Sequence, residues 1–245
     1  MKKGTKHLVV VGHPDKKSFC HNGIFKTIIR QMKKYNSDYK IVDLYEDKLH
    51  RDRKDLVDKY KELVTWATHI YFVSPVWWFR LTPKMEIFFD EVFTPGFAYK
   101  FIPLIGKYAY PKPFFKKKKV RTYITHGAPS IPVKTLYLNS VKLRLVLGVF
   151  TFVFGWKPSR WTKTKQFWSV PFVTNEKRRK YLRVVKEDIR KDLHLWENAI
   201  NVNKNYQSWC LKAEIKKPVK SANLDGGRDY SGLWLEIDGL LLWKD

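Results

Sequence analysis

The sequence predicts an α/β fold, a doubly wound five-stranded parallel sheet with an irregular C-terminal extension. Three observations predict it. Short apolar runs rich in β-formers alternate with longer stretches of helical period, the βαβα order that a parallel sheet needs. The runs His7–Gly12 and His69–Ser74 are apolar at nearly every position, as strands covered on both faces are. A chain of 245 residues without a Ser/Gly-rich linker suits one sizeable core.

Strands are predicted near 7–12, 39–44, 69–74, 119–125 and 165–170, and helices near 20–34, 53–65, 83–93, 134–150 and 174–198. The first strand runs into His13-Pro-Asp-Lys-Lys-Ser-Phe-Cys20 and then an amphipathic helix from about His21 to Lys34. Pro75 stops the third strand, and Pro83 fits the first turn of a new helix behind a Thr82 cap. On that helix Met85, Phe88, Phe89, Val92 and Phe93 recur at helical spacing, so it packs back on the sheet. The strand Val120–Thr125 leads into His126-Gly-Ala-Pro129. Leu145–Trp156, the longest uncharged apolar run, is too short for a bilayer span of about 20 residues and reads as a buried helix end and strand. The α/β domain is expected to cover 1–200. From about Asn201 the periodicity fades into an extension, 201–245, whose apolar tail Gly232–Trp243 is expected to pack on its own domain, the alternatives being an arm over a partner subunit and a membrane-surface contact.

Right-handed crossovers put the loops after Gly12, Ser74 and Thr125 on one sheet edge, where open α/β sheets bind ligands. The first loop can hold phosphate: helix-terminal amides favour an anion, and His13, Lys17 and Ser18 add donors. The second carries Trp77, Trp78 and Phe79 between a strand and a capped helix. In the third, Gly127 lets backbone approach a ligand closely.

These loops resemble those of the NAD(P)H:quinone oxidoreductases of the flavodoxin-like fold. Pro75, Trp78, Phe79, Pro83, Lys84, Asp90 and Gly96-Phe-Ala-Tyr99 match the family's Pro-x-x-Trp-Phe loop and its continuation. His13, Ser18 and Phe19 match its phosphate loop, with Cys20 where an Asn is usual, and Thr125-His-Gly-Ala128 is similar to its Thr-Thr-Gly-Gly loop. The resemblance implies a bound FAD, with FMN the alternative, and NAD(P)H as co-substrate reducing a small quinone-like acceptor. It implies a flavin held by His13, Lys17, Ser18, Phe19, Cys20, Pro75, Val76, Trp77, Trp78, Phe79, Thr125, His126, Gly127 and Ala128. Trp78 and Phe79 would form the wall on which nicotinamide and acceptor stack in turn. The family's Tyr and His relay reads Val133 and Asn139 here, so Tyr137 or His126 is the expected substitute, unless amides and cations act alone. A homodimer is also implied, because relatives build the acceptor pocket across a two-fold interface. In this chain Phe101, Ile102, Leu104, Ile105, Tyr108 and Tyr110 would be exposed in a monomer.

No Gly-x-Ser-x-Gly elbow, Walker loop or Gly-x-Gly-x-x-Gly turn is present, which removes the usual support for hydrolase, NTPase and Rossmann readings. Cys20 and Cys210 form neither a disulfide framework nor a metal motif, so no metal and a cytoplasmic location are expected. The formal net charge of +25 draws in anions. Trp156, Arg160, Trp161, Phe167 and Trp168 resemble the basic-aromatic mix of single-strand binders. Weak anionic-surface binding is expected, without specific nucleic-acid recognition. The alternatives are a non-catalytic nucleic-acid or membrane-surface binding protein on the same fold, and a regulatory flavoprotein subunit of a potassium efflux system.

Overall fold

In the computed structural model, residues 5–47, 52–104, 106–193, 233–237 and 240–244 are described. The chain divides into two units, 1–198 and 199–245. In the first, strand β1 (Lys6–Val11) leads through a π-helical turn, Phe19–Phe25, into helix α1 (Lys26–Lys34). There follow β2 (Asp38–Asp43), α2 (Lys54–Trp66), β3 (His69–Pro75) and α3 (Pro83–Val92). A hairpin comes next, β4 (Tyr99–Pro103) and β5 (Ala109–Pro113), and then β6 (Lys119–Thr125). Short helices α4 (Ser130–Lys134), α5 (Ser140–Leu143), α6 (Phe150–Phe154) and α7 (Pro158–Lys163) precede β7 (Thr164–Phe167) and the long α8 (Asn175–Asp192).

The sheet order is β2-β1-β3-β6-β7, and every pairing in it is parallel. Strand residues alternate between two cores because successive side chains leave opposite faces of a strand. Leu8, Val10, Ile70 and Phe72 join the α2, α3 and α6 side, while Val9, Val11, Tyr71 and Val73 join the α1 and α8 side. Burial on both faces explains the continuous apolar runs. A buried cation fixes α8: Arg121 on β6 donates to both carboxylate oxygens of Asp192, at 2.7 and 2.8 Å, and pairs with Asp188 at 3.2 Å.

Three expectations need correction. The helix expected over 134–150 is interrupted, since Leu138 and Asn139 both adopt positive φ, and it resumes as α5, a π-helical turn Arg144–Val149 and α6. Leu145–Trp156 is not a helix end and strand: it stays helical to Phe154, and Gly155 at φ 76° ends it. The strand expected over 165–170 stops at Phe167, because Ser169 turns at φ 51°. The β4–β5 hairpin was not expected at all.

Within the second unit, β8 (Leu233–Ile237) and β9 (Leu240–Lys244) pair antiparallel, with Trp234 opposite Trp243, so the extension is not irregular throughout. Cys210 and Ile105 lie outside the described residues. Among the described residues no helix is long and apolar enough to cross a membrane, and no cluster of three or more His, Cys, Asp or Glu could hold a metal ion.

Candidate active site

The loops after β1, β3 and β6 meet at the carboxyl edge of the sheet around a cleft of about 770 Å³. In the first loop, Asp15 organises its neighbours. Its N–H donates to His13 Nδ1 at 3.0 Å, its Oδ1 accepts from the Lys17 N–H at 2.7 Å, and its carbonyl accepts from Ser18 Oγ at 2.7 Å. Because Nδ1 of His13 is an acceptor, the neutral ring carries its proton on Nε2. Burial lowers the His13 pKa, with the Asp15 charge opposing it. Ser18 caps the helical segment by accepting from the His21 N–H at 3.2 Å. The amides of Phe19 and Cys20 begin that segment, where no preceding turn offers a carbonyl. Gly23 is needed beside Phe19, since a Cβ there would lie 2.9 Å from its ring.

Cys20 lines the cleft and is buried. Burial pushes its thiol pKa far up, against a hydrogen bond to Thr125, so it packs as a neutral group.

In the second loop the Val76 N–H donates to Thr125 O at 2.9 Å, tying two strand ends together. Trp77 and Arg80 exchange backbone hydrogen bonds of 2.8 and 2.9 Å around a two-residue turn. The two central residues, Trp78 and Phe79, both have positive φ, 48° and 59°. Such a turn suits Asn-Gly, so two bulky side chains here are strained. Pro75, Val76 and Trp77 line the cleft, and Trp77 meets the His13 ring edge-on at 6.1 Å. Trp78 and Phe79 do not line it. Trp78 is 95% exposed, and Phe79 packs against Tyr137 with the rings tilted and their centroids 4.4 Å apart.

In the third loop, Thr125, His126 and Gly127 line the cleft. Nothing lies within 4 Å of the position a Gly127 Cβ would take. Ala128 is outside the cleft and accepts from the Ser169 N–H at 3.0 Å. His126 is buried, stacks on Trp168 at 4.2 Å, and has its pKa pushed down to about 4 by burial. Gln166 Nε2 lies 3.0 Å from His126 Nε2 and also donates to Asn139 Oδ1 at 2.9 Å, while Asn139 Nδ2 donates back at 3.1 Å. The amide proton makes His126 Nε2 the acceptor and leaves the imidazole proton on Nδ1.

Of the two expected substitutes for the relay, His126 faces the cleft and Tyr137 does not. Val133 is buried, and Asn139 reaches His126 through Gln166. Sequence reading missed Arg30 on α1, and Arg178 and Leu182 on α8, which also line the cleft. Arg178 sits in the Lys177–Lys180 charge run, and only the packing of α8 beside α1 separates its role from its neighbours'. Arg178 donates to the carbonyls of Val170 and Pro171, shaping the cleft wall.

A family model for the flavodoxin-like fold matches residues 5–155. Among solved structures, the protein Smu.1420 from Streptococcus mutans shares 23% identity at a TM-score of 0.60, covering 76% of this chain and 100% of that one. The NAD(P)H:quinone oxidoreductase of Methanothermobacter marburgensis shares 16% at 0.60, over 76% and 96% of the two chains. An FMN-dependent NADH-azoreductase from Bacillus anthracis, solved with FMN, shares 13% at 0.59, over 76% and 99%. No curated protein sequence matches. With a parallel sheet of this order, strand-end loops meeting at one cleft and a family match over more than half its length, this chain belongs to the flavodoxin-like fold family.

Proposed function

We propose that the cleft binds FMN and that the protein passes reducing equivalents from NAD(P)H to a quinone or similar electron-poor acceptor. The observation that carries this reading is the meeting of polar donors and flat apolar groups in one cleft. His13, Lys17 and Ser18 stand in its first loop, and Pro75, Val76, Trp77 and Gly127 in the others. The donor set fits a phosphorylated flavin: the Nε2–H of His13, the Lys17 ammonium and the first helical amides would hold phosphate, and the open Gly127 backbone would meet the ring's polar edge. The preference for FAD drawn from the resemblance finds no support in the structural neighbours, whereas the azoreductase is solved with FMN.

Bound flavin would supply the hydride chemistry; the protein supplies position, water exclusion and electrostatics. Trp77 and Val76 cover apolar surface. His126, neutral at physiological pH, offers an Nδ1–H donor rather than a full charge. Trp78 and Phe79, outside the cleft of a single chain, would contribute to an acceptor wall through the exposed face they share with Tyr137.

The expected result is a yellow protein that releases FMN on heating and shows parallel initial-rate lines with NAD(P)H and a soluble quinone. A preparation that stays colourless after incubation with FMN and with FAD would overturn the reading. A homodimer in the cytoplasm belongs to the same proposal, supported by Phe101, Leu104 and Tyr108 standing exposed on and beside the β4–β5 hairpin. Light scattering at micromolar concentration tests it, and a monomer with dilution-independent activity would remove it. Oligonucleotide affinity is expected no tighter than the roughly 10⁻⁴–10⁻⁶ M of non-specific binding.

A further inference from the structure

A second cleft of about 720 Å³ is lined from α4, α5, α7, β7 and α8 and the chain between α4 and α5. Two indoles face it. Lys142 Nζ lies 4.4 Å from the Trp161 ring, and Lys134 Nζ lies 5.5 Å from the Trp168 ring. Among the described residues no Asp or Glu lines this cleft. Lys165, which also lines it, is neutralised by Asp188 at 2.8 Å, but Lys134 and Lys142 have no ion pair among the described residues. Two ammonium groups thus line one cleft beside aromatic faces, Lys142 partly buried and Lys134 exposed. Burial lowers the Lys142 pKa, and the Lys134 charge adds to the effect. An anion between them would relieve the repulsion, and in a partly desolvated site it would be held more strongly than on an open surface.

The apolar lining narrows the class of anion. Trp161, Phe167 and Trp168, with Leu138 and Leu143, give flat and aliphatic surface that inorganic phosphate could not use. Asn139 and Gln166 are paired with each other and with His126, which leaves the second Nδ2–H of Asn139 and the remaining carbonyl lone pairs to meet the polar edge of a heterocycle. We propose that this cleft is a second ligand site for a nucleoside monophosphate, its base against Trp161 and Trp168 and its phosphate between Lys134 and Lys142. This accounts for part of the basic-aromatic segment that the flavin reading leaves unused. Arg160, in the same segment, is buried and donates to the carbonyls of Phe154 and Gly155, so it is structural. The site is distinct from the flavin cleft, and the proposal does not depend on that reading.

The test is a tryptophan-fluorescence titration of the full chain with AMP, with and without saturating FMN. Saturable binding that persists with FMN is expected. Lys142→Gln and Lys134→Gln should each weaken it about tenfold, the scale of one lost charge-assisted hydrogen bond. Both variants should keep the far-ultraviolet circular dichroism of the parent. Arg30→Gln, in the first cleft, should leave AMP binding unchanged. Four outcomes would overturn the proposal. They are absence of saturation up to about 10 mM AMP, sensitivity to Arg30→Gln without sensitivity to Lys142→Gln, inorganic phosphate binding as tightly as AMP, and oligo(dT) displacing AMP at far lower concentration than any mononucleotide.

Discussion

The two ends of the first cleft solve opposite problems. At the His13–Cys20 end the loop is organised locally, by the hydrogen bonds around Asp15 and by the Ser18 cap, which hold its remaining donors in place. At the other end His126 is buried without charge, and beside the cleft Trp78 and Phe79 sit in left-handed backbone that favours Gly or Asn. The contrast teaches that anchoring a ligand and reacting with a second molecule ask different things of a loop. An anchor gains from preorganised donors. A reactive edge keeps costly groups where only contact with something else can justify them.

Acid is the largest lever on this contrast. Unfolded, His126 would take up a proton near pH 6.5; folded, burial holds its pKa to about 4. The unfolded state therefore binds more protons between these values, and stability is full above pH 7 and lost as pH falls through that window. At pH 4 the loss should be about 3 kcal/mol. Chemical denaturation of the parent and of His126→Gln at pH 8 and pH 4 isolates the term. The parent should lose about 3 kcal/mol more than the variant, and equal losses would show that His126 is not held neutral.

Relaxing the turn should act next. Trp78→Asn combined with Phe79→Gly installs the pair that positive φ at both positions favours. Unfolding free energy should rise by about 1–2 kcal/mol, less the small loss of the Phe79–Tyr137 contact. FMN affinity should hold while quinone turnover falls about tenfold. A variant that gains stability and keeps full turnover would make the strain a structural accident.

How much of this was legible follows from range. Strands β1 and β3 could be read because burial on both faces writes a nearly uninterrupted apolar run into the sequence. The residues lining the cleft from the first loop could be read for a related reason: they lie next to a strand end, and their chemistry is local. Trp78 could not be placed, since its identity suggests a stacking wall while its direction depends on a turn whose φ values contradict residue preference. Arg30 and Arg178 were hidden because their approach depends on α1 and α8 packing together across most of the chain's length. The interrupted helix after β6 was hidden because Leu138 and Asn139 give no breaker signal as strong as Gly or Pro.

The smallest expected effect is the most specific to the anchoring end. In Ser18→Ala the His21 N–H loses its cap acceptor, and the Asp15 carbonyl loses the hydroxyl that donates to it. A lost cap of this kind costs about 1 kcal/mol. The melting temperature should fall by a few degrees, about 2–4 °C for a chain of this size. The cap also holds the amides of Phe19 and Cys20 in place, so FMN should bind about fivefold more weakly, whereas turnover at saturating FMN should stay that of the parent. That pattern is the reverse of the one expected for the turn variant, which keeps affinity and loses turnover. Isothermal titration of FMN alongside quinone assays at saturating flavin separates the two. If Ser18→Ala lowers turnover and leaves affinity intact, the division between an anchoring end and a reacting end fails.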